Sequence, residues 1–185
     1  FTLVKGGQGE DARALLNKDE TPKWREMSAK LGNQQMRYIA NRKLREYSIQ
    51  EIGRFQLITD VIGGFSYTDD MSTFMETVLA LLEVNGTFFT VLQDVQSESG
   101  TNKPFYANSP YLTELQAADG GELRVCGWLK KISCVEVTCD LKSDWKPPVE
   151  AYAIRKTCEG TKVPALAARH YQAGTPPERR FRLVD

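Results

Sequence analysis

The stretch from Phe55 to Leu92 constrains the fold more than any other part of the chain. Phe55, Leu57, Ile58, Val61 and Ile62 make a nearly continuous apolar run, the pattern of a strand covered on both faces. Gly63 and Gly64 end that run, and Asp69 or Asp70 is placed to cap a helix. Met71, Phe74, Met75, Val78 and Leu82 then fall at i, i+3, i+4, i+7 and i+11, one apolar stripe. Asn85-Gly86 reads as the helix stop, and Thr87–Leu92 as a second buried strand. Joints this short imply a parallel strand pair and a right-handed crossover.

The flanking regions extend the pattern. Phe1–Val4 and Met36–Ala40 read as strands. Asp11 is placed to cap a short helix carrying Leu15 and Leu16, and Pro22 opens another that buries Trp24, Met27 and Leu31 and ends at Gly32. Ser48–Ile52 reads as one or two helical turns. Gln93–Asn108 is a long polar loop of the kind that more often serves function than structure. Ser109–Pro110 starts a further expected helix through about Ala118, and Leu123–Ile132 another, with Trp128 and Leu129 inward. Val135–Cys139 and Ala151–Lys156, separated by a loop containing Pro147–Pro148, read as an antiparallel pair at a sheet edge. Together these predict an α/β domain over residues 1–156: a Rossmann-like, mostly parallel sheet with helices on both faces and an antiparallel edge strand pair. Residues 157–185 are expected to form an extension over its surface.

Composition narrows the partners. The 185 residues are enough for one domain with a core, and the formal net charge is zero. Zero charge offers no electrostatic argument for nucleic acid or an anionic membrane. No apolar run reaches the length of about 20 residues that a membrane span needs. Phe1 opens directly into a strand-like run, so an upstream segment is expected, and a homo-oligomer is left open. Cys126, Cys134, Cys139 and Cys158 match no zinc spacing, and His170 is the only histidine; no metal is expected. The cysteines read as free side chains of a reducing, cytoplasmic protein, with one disulfide as the alternative.

The residues Phe55-Gln-Leu-Ile-Thr-Asp60-Val-Ile-Gly63-Gly64-Phe-Ser-Tyr67-Thr-Asp69-Asp70 resemble the fourth motif of the class I S-adenosylmethionine-dependent methyltransferases. In that motif a strand ends in an acidic residue and a loop beside the methyl group. Leu79–Leu92 is similar to the approach to the family's fifth strand. The resemblance implies S-adenosylmethionine as cofactor and a small-molecule or protein methyl acceptor. The family's first motif, an acidic residue and a glycine-rich turn after strand one, has Gly6-Gly7-Gln8-Gly9 as its candidate here. The spacing favours Phe1–Val4 as strand two, which puts the first motif upstream of Phe1.

The candidate site follows from both readings. Ligands of open α/β sheets bind outside the carboxyl ends of the strands. Asp60 is expected there as a catalytic and cofactor-binding carboxylate, or as a helix cap. Gly63 and Gly64, with Gly6 and Gly7, are expected to let the backbone approach the cofactor, or merely to make turns. Tyr67 is expected to stack on substrate or donate a hydrogen bond, or to pack on its own loop. Asp69 and Asp70 read as caps ahead of acids. His170 lacks a visible base or nucleophile partner, and Arg179, Arg180 and Arg182 read as a solvated surface cluster. Methyl transfer is the leading functional expectation. A catalytically inactive methyltransferase-like module for protein interaction is the alternative, ahead of a nucleotide-binding protein using Gly6–Gly9.

Overall fold

The computed structural model describes residues 44–93, 112–142, 149–168 and 178–185. The chain divides into two units, Phe1–Gly53 and Arg54–Asp185. In the first, the described residues form a 3-10 turn at Leu44–Glu46 and a one-turn helix, α1 (Ile49–Ile52). The Ser48 N–H and Oγ both donate to the Glu51 carboxylate, at 2.9 and 3.0 Å, which fixes the start of the turn. Gly53, at φ 79°, ends it. The expected strands Phe1–Val4 and Met36–Ala40, the two helices between them, and Gly6, Gly7 and Gly9 lie outside the described residues.

The second unit opens with β1 (Phe55–Val61), α2 (Gly64–Tyr67), α3 (Met71–Leu81) and β2 (Leu82–Gln93). It continues with β3 (Leu112–Gln116), β4 (Glu122–Leu123), α4 (Val125–Leu129), β5 (Val135–Lys142), β6 (Val149–Lys156), β7 (Leu166–Ala168) and β8 (Glu178–Leu183). The strands make two sheets, ordered β1-β2-β6-β5 and β4-β3-β8-β7. Each has one parallel pair among the described residues, β1 with β2 and β3 with β8; the remaining pairs are antiparallel.

This overturns the Rossmann-like, mostly parallel sheet with helices on both faces. The described residues are mainly strand, in two small mixed sheets, and α3 is the only helix among them longer than five residues. The physical reasons are local. The apolar run of β1 was expected to be covered on both faces, yet β1 lies at a sheet edge with Ile58 buried while Leu57 and Val61 are 54% and 61% exposed. The segment 109–118, expected to be a helix, contains β3. There Thr113 and Leu115 are buried and Glu114 and Gln116 less so, the period of two of a half-covered strand. Residues 157–185, set apart as a surface extension, supply β7 and β8. Phe181 of β8 is buried, next to Leu115 across the parallel pair.

The local crossover nonetheless forms, because its apolar stripe has a face to bury. Met71, Met75, Val78 and Leu79 of α3 are fully buried, as are Ile58, Phe88, Leu92, Tyr152 and Ile154 on one face of the first sheet. Phe65 of α2, Phe74 of α3 and Phe88 of β2 form a three-ring cluster with centroids 5.7 to 6.4 Å apart, a spacing favourable for tilted and edge-on rings. The helix ends at Leu81, ahead of the expected stop at Asn85-Gly86. Its carboxyl end is capped from elsewhere: buried Lys156 donates to the Leu79 and Leu82 carbonyls, both at 3.1 Å, and to Glu159 at 2.8 Å. A cation here meets the negative end of the helix dipole.

Asn85 and Gly86 instead form an irregularity inside β2, where the register with β1 shifts between Phe55 and Leu57. Asn85 takes φ 71°. A Cβ on Gly86 would lie 2.9 Å from the carbonyl oxygens of both Glu83 and Phe55. Backbone on both sides leaves no flexible side chain to give way. Gly86→Ala is therefore expected to destabilise the fold by about 1–3 kcal/mol, the usual cost of overpacking, read as a lower urea midpoint at unchanged slope.

All four cysteines are paired, Cys126 with Cys139 and Cys134 with Cys158, which corrects the expectation of free thiols. The reason is tertiary. The β5–β6 hairpin and the packing of α4 on β5 bring the two pairs of Cα atoms to 6.2 and 5.0 Å, within bridging distance. The first bond pins α4 to β5; the second closes the base of the hairpin. Their loops overlap, since Cys134 lies between Cys126 and Cys139. Each alone is worth about 3 kcal/mol in loop entropy. Reduction by a dithiol is expected to lower the urea midpoint clearly, while an unchanged midpoint would show that the bonds constrain nothing.

Candidate functional site

Four residues singled out from sequence meet at the carboxyl end of β1. The Asp60 side chain turns inward and is 8% exposed. Its Oδ1 accepts from the Gly64 N–H at 2.7 Å and its Oδ2 from the Phe65 N–H at 2.9 Å. The Thr90 hydroxyl of β2 donates to Oδ2 at 3.4 Å. The carboxylate thus satisfies the first free N–H groups of α2 and ties its start to both parallel strands. Burial pushes the Asp60 carboxyl above its ordinary range, and the Phe65 and Gly64 N–H groups and the Thr90 hydroxyl pull it part of the way back.

The glycines serve this arrangement. A Cβ on Gly63 would overlap Asp60 Oδ1, and one on Gly64 would lie 2.9 Å from the Phe74 ring. Both positions are therefore closed to a side chain by the protein's own groups. The preceding residue carries the strain: Ile62 takes φ 48° while its N–H donates to the Val91 carbonyl at 3.0 Å. A β-branched residue in that region is an outlier costing about 1 kcal/mol or more. Tyr67, at the end of α2, is 42% exposed. Asp70 is the cap of α3, its Oδ1 accepting from the Thr73 N–H at 2.9 Å; Asp69 is exposed.

Asp60, Gly63, Gly64 and Tyr67 are thus brought together in one turn. Gly6, Gly7, the Gln93–Asn108 loop beyond Gln93, and His170 lie outside the described residues. In the basic cluster Arg180 pairs with Glu114 across β3 and β8 at 3.4 Å, and Arg182 donates to the Ala118 carbonyl. These residues knit the second sheet. Sequence reasoning missed a separate polar group on the first sheet: Glu150, 5% exposed, accepts from Tyr152 Oη at 2.7 Å beside the Cys126–Cys139 pair. Burial, then the Glu150 carboxylate, raise the Tyr152 hydroxyl well above its ordinary range. The only advance signal was the i, i+2 spacing of Glu150 and Tyr152, which places both on one face of a strand. No helix among the described residues is long and apolar enough to cross a membrane. No family model, curated protein or solved structure matches the chain.

Asp60→Ala removes the acceptor for two buried N–H groups and is expected to cost about 2–4 kcal/mol. The pH dependence has a definite sign. The folded-state carboxyl lies above the ordinary 3.8, so the native state holds the proton more tightly than the unfolded chain. The Asp60 contribution is most favourable below the ordinary value and declines as pH rises through the folded one. The stability advantage of the wild type over Asp60→Asn, from urea unfolding, is expected to shrink as pH rises from the ordinary carboxyl range to neutrality.

Proposed function

We propose that this chain serves S-adenosylmethionine-dependent methyl transfer to an acceptor. The observation that carries the reading is the parallel β1–α3–β2 crossover, with the Asp60–Tyr67 turn at its carboxyl end. It supports the motif resemblance on those same residues, and rests on this local unit alone. Transfer from a sulfonium needs donor and nucleophile held in line more than it needs acid–base chemistry. A buried, fully bonded Asp60 suits such a site as a positioning residue: it fixes the turn, and exposed Tyr67 offers the surface for stacking on donor or acceptor. The acceptor is a small molecule or a protein side chain. A cytoplasmic place of action belongs to this reading.

One observation favours the second reading, an inactive module for protein interaction: both oxygens of Asp60 and the space at both glycines are already taken by the protein itself. Calorimetric titration of the full-length protein with S-adenosylmethionine and S-adenosylhomocysteine separates the two. Methyl transfer expects saturable heat with both. Tyr67→Ala is expected to weaken binding by up to about tenfold, the scale of one lost aromatic stack. No heat with either compound would overturn this reading in favour of the inactive module.

A further inference from the structure

A second cluster on the first sheet has chemistry that the methyl-transfer site does not use. Cys126 on α4, Cys139 on β5 and Glu150 on β6 bring one ligand atom each within 4.8 Å of one another. Cys139 faces Tyr152 directly across the β5–β6 pair, and Glu150 is the next residue along the same face. A carboxylate as buried as Glu150 is normally held by a cation or a metal. Its hydrogen-bond donor is the neutral Tyr152 hydroxyl, at 2.7 Å.

From this juxtaposition we infer that Cys126, Cys139 and Glu150 form a redox-gated site for a zinc-class divalent cation, closed while the disulfide stands and opened when a dithiol reduces it. The step balances. A dithiol passes two electrons and two protons to the Cys126–Cys139 bond and becomes a cyclic disulfide, leaving two thiols on the chain. Each thiol releases its proton to solvent as its sulfur binds the metal.

The geometry suits both states. Two sulfurs on a tetrahedral zinc, each at about 2.3 Å, sit about 3.8 Å apart. The Cα atoms are 6.2 Å apart in the disulfide, toward the wide end of the bridging range, so modest side-chain rotation opens the sulfurs to that spacing. Thiolate sulfur selects zinc-like ions over magnesium or calcium. Three protein ligands leave a fourth position for water. Tyr152 holds the Glu150 carboxylate in place, as outer partners of metal ligands do. Cys134 and Cys158 join no such cluster among the described residues, which makes them an internal control.

The test uses the full-length wild-type protein, reduced with a phosphine and kept free of oxygen. Zinc is added, accessible thiols are alkylated, and the modified peptides are mapped. The expected result is protection of Cys126 and Cys139 at one zinc per chain, with Cys134 and Cys158 still modified. The oxidised protein is expected to bind at least about tenfold more weakly, and so is reduced Glu150→Gln, since loss of even an outer partner costs about that much. Cobalt in place of zinc gives a thiolate charge-transfer band in the reduced protein only. Protection of no cysteine, of all four alike, or of Cys134 and Cys158 alone overturns the proposal, as does equal binding by the oxidised protein. None of these outcomes bears on S-adenosylmethionine binding.

Discussion

The second unit depends on how one buried carboxylate is satisfied. Asp60 ends an apolar strand with a side chain aimed into the protein, where an isolated charge is costly. Two backbone N–H groups and a threonine hydroxyl take that charge up. To deliver those N–H groups the chain must turn within two residues, which forces Ile62 into a positive φ and leaves no room for a side chain at Gly63. The turn in turn sets Phe65 against Phe74 and Phe88, so the packing of α3 on the sheet follows from the cap.

The far end of the same crossover uses the opposite charge. Lys156 comes from β6 to meet the last carbonyls of α3. An acidic group thus stands at the start of the helical segment and a basic one at its end, each facing the backbone groups left unpaired there. Both are supplied by strands of the first sheet, so the crossover is clamped to that sheet at both ends. Glu159 holds the lysine from the solvent side and also binds Arg54 at 2.5 Å, just before β1. Lys156 and Arg54 together keep the Glu159 carboxyl below its ordinary range. One acidic residue therefore joins the entrance of β1 to the exit of β6.

This explains what could be read in the sequence and what could not. The β1 strand, the α3 stripe, the Asp70 cap and the antiparallel β5–β6 pair were legible because each depends on neighbours within a turn or a pleat. The clustering of Asp60, Gly63, Gly64 and Tyr67 was legible for the same reason, though Asp60 takes the helix-cap role that was weighed against a functional one. The helix-capping role of Lys156 was not legible, since the two carbonyls it meets lie 77 and 74 residues away. The Cys126–Cys139 and Cys134–Cys158 pairings depend on the hairpin register and on α4. The sheet as a whole differs from the reading of β1: a nearly continuous apolar run reports burial only if both faces are covered, and Leu57 and Val61 face outward. β3 was not legible because its short alternation, Thr113 and Leu115 buried and Glu114 and Gln116 less so, falls within the helix expected from Ser109–Pro110.

The Cys126–Cys139 pair holds α4 to β5. A disulfide supplies this attachment by shrinking the unfolded ensemble. A metal held by the same two sulfurs and by Glu150 closes the same loop and adds a third element, β6, to the crosslink. The two crosslinks exclude each other chemically, since a sulfur in a disulfide is a poor ligand and a metal-bound thiolate is protected from oxidation. The buried carboxylate decides which is better matched to the site. Glu150 gains nothing from a neutral disulfide beside it, while a cation there offsets its charge in a region of low dielectric. The placement of Glu150 is therefore better matched to the reduced, metal-holding state, and the disulfide is the form in which the same joint persists without metal.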